Sequence, residues 1–290
     1  MEKSIIDKYR YDGSQVLKLN QVKTCVCIDD DFKKDIRRKT RNNQKIIKKL
    51  QDKLYADGRE SVIIILQAMD AGGKDGTVKH VMGGVNPQGI DVFSFKQPNK
   101  EELAHDFLWR IHKCVPEHGK MGIFNRSYYE DVLVVKVHEL NKTYKMAERC
   151  LDDNDFFIKR YKDIRHFEKY LYNNSYRIIK VFLNISKEEQ KERLLQRINQ
   201  NDKNWKFSDS DIKERKLWDD YQKAYEDAIN NTSSKHSPWY ILPADQKWYS
   251  WYLVSEIVKD TLIKVDPHYP KVSRESKNNL KKYKEILNGE

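Results

Sequence analysis

A run of five apolar residues that leads directly into a glycine-rich turn most strongly limits what this chain can fold into. Residues 62–66 read Val-Ile-Ile-Ile-Leu, and residues 68–77 read Ala-Met-Asp-Ala-Gly-Gly-Lys-Asp-Gly-Thr. A continuous apolar run is typical of a parallel strand that is buried on both faces. Backbone N–H groups of a glycine-rich turn can point at an anion, and a following helix adds its positive end. The segment therefore predicts a buried strand, a phosphate-binding turn and a helix.

The turn departs from the common P-loop pattern G-x-x-x-x-G-K-[ST] at two positions. Gly73 and Lys74 supply the glycine–lysine pair, but Ala68 stands at the first glycine position and Asp75 at the serine or threonine position. Lys74 is expected to place a positive charge between phosphates. Acidic side chains beside an anion indicate a divalent cation, so Asp70 and Asp75 favour Mg²⁺. The alternative is a structural strand-to-helix turn with a surface lysine.

A second short apolar segment, residues 121–124, predicts a strand that ends at Asn125 and Arg126. In P-loop enzymes the end of a neighbouring strand carries a group that helps to hold the metal ion. Arg126 is a candidate for stabilising charge on a transferring phosphoryl group, and Glu130 and Asp131 are candidates for holding a metal ion or orienting an acceptor. Taken alone, the segment also fits a helix N-cap followed by a surface arginine.

Predicted strands and helices alternate along the chain. Further strands are predicted at residues 90–95, 178–185 and 239–242, and helices at 31–54, from 77, at 101–114, through most of 127–171, from 187, at 208–229 and at 249–263. Residues 1–30 are expected to be extended or irregular. The alternation predicts an α/β fold with a parallel sheet covered on both faces.

The 290-residue chain carries a formal net charge of +11, which favours polyanionic partners such as nucleic acid, an anionic membrane or a polyphosphate substrate. A protein whose surface is simply basic, without a polyanionic partner, would have the same net charge. Apolar runs are far shorter than the ~20 residues that span a bilayer, and residues 1–8 lack the apolar core of a signal peptide. A cytoplasmic protein is therefore expected. Cys25 and Cys27 lack clustered ligands, which favours reduced, inert thiols over a metal or redox pair.

A nucleic-acid-binding protein is a hypothesis from another functional class. Residues 33–49 contain nine lysines and arginines and one acidic residue, Asp35. Salt-sensitive RNA binding without nucleotide turnover would support this hypothesis. Ile36, Ile46 and Ile47 recur at helical spacing, however, which favours a packed helix with a charged solvent-facing side.

Several segments taken together resemble the second polyphosphate kinase family, the P-loop type. They are residues 69–77, 125–132, 205–208, 218–221 with 224–227, and 238–240 with 243–248. They extend over most of the chain, and the ordered set is specific although each piece alone is not. The resemblance implies a thymidylate-kinase-like (P-loop kinase-like) three-layer sandwich with a parallel sheet and a helical lid. It also implies phosphoryl transfer between inorganic polyphosphate and nucleotides, with Mg²⁺ or Mn²⁺ as cofactor.

The same resemblance implies roles for individual residues. Asp70, Lys74 and Arg126 match family positions tied to catalysis, with Asp70 as metal ligand. Nucleotide or phosphate contacts are expected from Met69, Ala71, Gly72, Gly73, Asp75, Gly76, Thr77, Asn125 and Glu130. A cationic groove for polyphosphate is expected from Lys136, Arg193, Arg197, Lys203, Lys206 and Arg215.

Asn125 refines the predicted reaction. Many family members read Asp-Arg-Ser where this chain reads Asn125-Arg126-Ser127, and the asparagine version resembles the subgroup that phosphorylates both AMP and ADP. The predicted reaction therefore converts AMP and/or ADP to ADP and ATP, and it is reversible. An amide cannot be an ionised metal ligand, which shifts metal binding to Asp70 and Glu130.

An ATP-dependent nucleoside monophosphate kinase on the same fold is the nearest alternative, although Ala68 and Asp75 count against it. We expect one kinase domain over residues 1–290. Within it, residues 1–58 form an N-terminal extension and basic helix, and residues of about 198–230 form the lid. The resemblance further implies a homodimer or homotetramer, without nucleic-acid or membrane partners.

Overall fold

A six-stranded sheet forms the centre of the computed structural model, which describes residues 4–26, 29–151 and 155–290. The strands are β1 (Arg10–Tyr11), β2 (Ser61–Ala68), β3 (Ile90–Ser94), β4 (Met121–Asn125), β5 (Tyr176–Asn184) and β6 (Trp239–Pro243). Their order across the sheet is β1-β6-β5-β2-β4-β3. All neighbours are parallel except β1, which pairs antiparallel with β6. The predicted parallel sheet is confirmed, and β1 lies in the segment expected to be extended or irregular.

Helices cover both faces of this sheet. They are α1 (Asp30–Asp57), α2 (Lys74–Val81), α3 (Lys100–Leu103), α4 (Trp109–His112), α5 (Val134–Val137), α6 (Phe156–Asn173), α7 (Lys187–Asn199), α8 (Asp209–Lys216), α9 (Trp218–Thr232), α10 (Lys247–Val265) and α11 (Arg274–Asn288). Helices α1, α2 and α10 pack together, while α6 packs against β5 and α9. The three-layer α/β prediction is confirmed. None of the helices in the described ranges is long and apolar enough to span a membrane.

The central strand β2 brings the two predicted phosphate-handling segments together. All eight of its residues are buried, as its apolar run predicts. Leu66 is in register with Asn125 of β4, and Ala68 is in register with Leu183 of β5. Because the carboxyl ends of parallel strands meet at one edge, the glycine turn after β2 lies beside the end of β4.

Helix α1 has the packed face that its apolar spacing predicts. Ile36 and Ile47 are buried, whereas Ile46 is 40% exposed. Asn43 on the buried face donates through Nδ2 to the Ser255 hydroxyl of α10 at 2.9 Å. The basic residues of 33–49 thus belong to a helix that packs along α10, which favours the packed-helix interpretation of this segment.

Three predicted helices are interrupted in the structure. The predicted helix at 101–114 is wrong, because Asp106 Oδ1 accepts from the backbone N–H of Leu108 and makes a turn between α3 and α4. Helix 208–229 is divided at Leu217, which separates α8 from α9. Within 127–171, the described residues before α6 form short 3₁₀ turns and α5, and residues 152–154 lie outside the description.

Lys180 of β5 lies at the centre of a buried polar network. Its side chain is 0% exposed, and Nζ donates to Glu168 Oε2 at 2.7 Å, the Tyr129 hydroxyl at 3.1 Å and the Thr232 carbonyl at 2.9 Å. The hydroxyls of Tyr128 and Tyr129 both donate to Glu168 Oε1 at 2.8 Å. The network therefore ties the segment after β4 to β5, α6 and α9.

The described cysteines, Cys25, Cys114 and Cys150, are free thiols, as expected. Cys27, for which the sequence also predicts a reduced thiol, lies outside the described residues. The charged C-terminal segment forms α11, which has no buried residue.

Candidate active site

The glycine turn between β2 and α2 is tightly closed. Ala71 has φ 59° and Gly73 has φ 98°, both in the left-handed region that costs little only for glycine. A Cβ at Gly72 would lie 2.4 Å from Ala68 Cβ and 2.7 Å from the Met69 carbonyl oxygen, so a side chain does not fit there. The turn thus delivers the N-terminus of α2, with its unpaired N–H groups, to the carboxyl edge of the sheet.

Helix α7 holds this turn from outside. Gln190 Nε2 donates to the Asp70 carbonyl at 3.0 Å, and an Arg193 guanidinium nitrogen donates to the Ala71 carbonyl at 3.0 Å. Arg193 is only 5% exposed and also donates to the carbonyls of Ala244 and Asp245. Its guanidinium also pairs with Glu189 at 2.7 Å, so its donors are used to shape the turn, whereas the sequence predicted a polyphosphate contact.

Lys74, the first residue of α2, folds back over the turn. Its Nζ donates to the Ala68 carbonyl at 3.0 Å. Burial and the nearby Arg126 guanidinium lower the pKa of Lys74, while Asp70 and Glu130 oppose them. Desolvation disfavours the charged ammonium, so a phosphate bound at the turn would add negative charge that favours it.

The end of β4 places the second motif against the turn. Arg126 has φ 63°, its N–H donates to the Leu66 carbonyl at 3.1 Å, and its guanidinium donates to Asp70 Oδ1 at 3.3 Å. Asn125 Nδ2 donates to Asp75 Oδ1 at 2.8 Å. A left-handed arginine is strained, and such strain clusters at functional sites. The structure therefore brings the predicted catalytic side chains Asp70, Lys74 and Arg126 together.

Glu130 lies on the 3₁₀ turn after Arg126 and faces the same cluster. Burial raises the pKa of Glu130, while Arg126, Lys74 and a hydrogen bond with Gln67 oppose that increase. Gln67 is fully buried on β2, and its Oε1 atom has no hydrogen-bond partner in the described residues. The ionised Glu130 carboxylate therefore lowers the stability of the ligand-free fold.

Replacing Glu130 with glutamine is expected to raise the Tm of the ligand-free protein at pH 7.5 by about 2 °C or more. The folded-state pKa of Glu130 lies above its ordinary value of 4.5, so the folded chain keeps the proton longer and wild-type stability falls as pH rises through that window. The advantage of the variant should vanish near pH 4.5, which thermal unfolding across pH can measure. A lower Tm at pH 7.5 would contradict this account.

The other predicted polyphosphate-binding cations differ in their availability. Three make internal contacts: Lys136 with Asp227 at 2.7 Å, Arg197 with Asp211 at 3.2 Å, and Arg215 with the Lys187 carbonyl at 2.7 Å and Gln190 Oε1 at 2.9 Å. Within the described ranges Lys203 and Lys206 have no ion-pair partner, and Lys206 lies over the Trp205 ring at 5.0 Å. Lys203 and Lys206 are therefore the members of the set whose charges are free for a ligand.

Sequence reasoning missed several residues of this site. Gln67 and Gln190 gave no recognisable signal, and Lys247, although it lies in the resembling segment 243–248, was assigned no role. Each becomes part of the site only through the packing of β2, α7 and α10. Burial and the charge of Arg193, with smaller contributions from Lys203 and Arg197, lower the pKa of Lys247. Tyr225 lies in the resembling segment 224–227, and its ring is buried. Its position beside the charged cluster requires the fold.

The carboxylates at the turn fit a Mg²⁺ site that is completed by substrate. The described residues contain no group of three or more His, Cys, Asp or Glu side chains that could hold a metal ion. Mg²⁺ is usually held by one or two carboxylates together with substrate phosphates and water. Asp70 meets that requirement, and the exposed Asp75 is close enough to Asn125 to be part of the same surface.

Comparison with known proteins identifies the family. A model of the family described as polyphosphate kinase 2 (PPK2) matches residues 31–269. The chain belongs to the PPK2 family. It is 48% identical over 224 residues to the AMP/ADP-polyphosphate phosphotransferase of Meiothermus ruber, covering 77% of this chain and 80% of the relative.

Two other relatives agree with this assignment. The chain is 46% identical over 239 residues to the ADP-polyphosphate phosphotransferase of Rhodopseudomonas palustris, covering 82% of this chain and 83% of the relative. The solved structure of polyphosphate kinase 2 from Arthrobacter aurescens TC1 superposes with a TM-score of 0.84 at 37% identity, covering 96% of each chain. The P-loop kinase-like fold expected from the resemblance to this PPK2 family is thereby confirmed.

Proposed function

We propose that this PPK2 protein transfers the terminal phosphoryl group of inorganic polyphosphate to AMP and ADP, giving ADP and ATP reversibly. The observation that carries the proposal is the meeting of Asp70, Lys74 and Arg126 at the glycine turn of a PPK2 chain. Both directions exchange one phosphoanhydride for another, so substrate concentrations set the direction.

The residues support an in-line transfer in which positioning and charge neutralisation do most of the work. The N–H groups at the start of α2 and the Lys74 ammonium hold nucleotide phosphates. Asp70 orients the accepting oxygen. The Arg126 guanidinium contacts Asp70 at 3.3 Å in the ligand-free chain. During transfer it stabilises the negative charge that develops on the transferring phosphoryl group.

We propose Mg²⁺ as the cofactor, with Mn²⁺ as an alternative, held by Asp70 and substrate phosphates. When bound, the ion would neutralise phosphate charge during the transfer. Asn125 contributes an uncharged amide at this point, and its contact with Asp75 at 2.8 Å keeps Asp75 close to the site.

The remaining expectations extend the proposal to the rest of the chain. Lys203 and Lys206 lie in residues 201–206, just before α8, and we propose that residues of about 198–230 close as a lid over the polyphosphate chain. Lys247 adds a cation to the groove from α10. We further propose a cytoplasmic homodimer or homotetramer that has neither nucleic acid nor membrane as a partner.

A donor comparison tests the function. Purified protein with Mg²⁺ and polyphosphate is expected to convert AMP to ADP and then ADP to ATP, measured by separating the nucleotides. Without the divalent ion the rate should fall by about 10²-fold or more. Omitting polyphosphate while supplying ATP as donor is the matched control.

Two results would contradict the proposal. Formation of ADP from AMP with ATP, but never with polyphosphate, would indicate an ordinary nucleoside monophosphate kinase. Salt-sensitive RNA binding without any nucleotide turnover would favour the nucleic-acid hypothesis.

A further inference from the structure

Tyr225 of α9 is buried, yet its hydroxyl has no hydrogen-bond partner among the residues that the structure describes. The residue is 4% exposed, and its ring centroid lies 4.3 Å from that of Phe182 on β5. Other buried tyrosines nearby are bonded, since the hydroxyls of Tyr128 and Tyr129 donate to Glu168 at 2.8 Å. The Tyr225 oxygen is not one of the fully buried polar atoms that lack a partner, so the small exposed part of this residue includes the hydroxyl, and a ligand can reach it.

Helix α9 packs against the 3₁₀ turn that carries Glu130, so the charged groups around this hydroxyl are those of the candidate active site. Burial and then the Glu130 and Asp70 carboxylates raise the pKa of Tyr225, and the Arg126 guanidinium opposes them. The phenol therefore stays protonated at neutral pH and remains a hydrogen-bond donor. Neither carboxylate accepts a hydrogen bond from it in the ligand-free chain.

Tyr221, one helical turn earlier on the same face, provides an internal comparison. It faces the same carboxylates, but its hydroxyl donates to Glu214 Oε2 at 2.6 Å and is therefore occupied. Of these two neighbouring tyrosines of α9, Tyr225 alone has a donor free for a ligand.

We propose that the Tyr225 hydroxyl donates a hydrogen bond to a substrate phosphate oxygen, on the phosphoryl group that Arg126 also contacts. The inference rests on the proposed function, because it takes the ligand beside Arg126 to be a phosphate chain. A phosphate oxygen is an anionic acceptor, and a neutral donor can bind it without adding a third cation to Lys74 and Arg126. Tyr225 would then be a substrate-binding residue whose ring is fixed in advance by Phe182.

The variant Tyr225→Phe tests this role because it removes the hydroxyl alone. Calorimetric titrations with AMP and with tripolyphosphate, each with Mg²⁺, should show at least one Kd raised by about tenfold or more. The kcat/KM for AMP with polyphosphate should fall by a similar factor. The Tm should stay equal to that of the wild type or rise, because the ligand-free chain loses no hydrogen bond.

Tyr176→Phe is the matched control. Its hydroxyl donates to the Pro116 carbonyl at 3.0 Å at the opposite edge of the sheet, so both affinities and the rate should be unchanged. If Tyr225→Phe lowers kcat while both Kd values stay constant, the hydrogen bond is made in the transition state, which would also support the proposal.

The proposal is overturned if Tyr225→Phe keeps both affinities and kcat/KM within about twofold of wild type. It is equally overturned if the Tm falls by several degrees, because the hydroxyl then stabilises the fold instead. A wild-type chain that never consumes polyphosphate would contradict the proposed function, and the AMP titration would still decide the role of Tyr225.

Discussion

Replacing Arg126 with alanine is expected to lower kcat for phosphoryl transfer from polyphosphate to AMP by about 10³-fold or more, the range found for arginines that stabilise phosphoryl transfer. The guanidinium is half-buried beside Asp70 and Glu130 at the end of β4, where the glycine turn would place the phosphates. Steady-state ADP formation with Mg²⁺ measures the loss. Arg126→Lys should recover only part of the activity, because a lysine cannot make bidentate contacts with phosphate oxygens.

Arg59→Ala is the control for the loss of one positive charge. Arg59 is 70% exposed, precedes β2 at the opposite edge of the sheet and pairs with Asp57, so its removal should leave the rate unchanged. Activity of Arg126→Ala within about tenfold of wild type would show that Arg126 is not part of the transfer machinery.

Replacing Glu168 with glutamine is expected to destabilise the protein by about 3–5 kcal/mol, because it leaves Lys180 buried without its counter-charge. At about 2–4 °C per kcal/mol, the Tm should fall by roughly 10 °C. Tyr128 and Tyr129 lose the charged acceptor that holds the segment after Arg126, so kcat should fall too. Thermal unfolding and the transfer assay measure both effects.

The pH dependence of this variant has a defined sign. Burial lowers the pKa of Lys180, and loss of Glu168 lowers it further. The unfolded chain then binds more protons than the folded chain below the ordinary lysine pKa of about 10.4, so stability should rise as pH rises from 7 to 9. The double variant Glu168→Gln with Lys180→Met removes the unpaired charge and should regain stability. A single variant as stable as the wild type would mean that the pair does not stabilise the fold.

The elements that the sequence predicted best are those set by local patterns. The unbroken apolar run of β2 and the glycine turn after it could be recognised because burial on both faces and left-handed backbone require those residues. The same reasoning failed over residues 101–114, where helical spacing of apolar residues continues across the turn at Asp106. A side chain that caps a turn competes with the helix, and periodicity alone does not reveal which of them prevails.

The predicted site residues also include some that a local segment identifies and others whose contacts depend on the fold. Asp70, Lys74 and Arg126 each belong to a recognisable segment, and parallel pairing of β2 with β4 brings the segments together. Arg193 was expected to contact polyphosphate, but whether its donors face a ligand or the turn depends on α7 packing against residues 70–73. Lys136 looked equally available, and its ion pair with Asp227 arises only when α5 meets α9.

The sequence by itself determined the α/β class, the phosphate-binding turn and the resemblance to the PPK2 family, because these depend on residue types at short, fixed spacings. Only the tertiary structure decided which cations remain free and which side chains from distant elements surround the turn. Tyr225 illustrates the difference: helical spacing predicts its buried ring, but the unpaired hydroxyl beside Glu130 and Arg126 results from contacts between elements far apart in the chain.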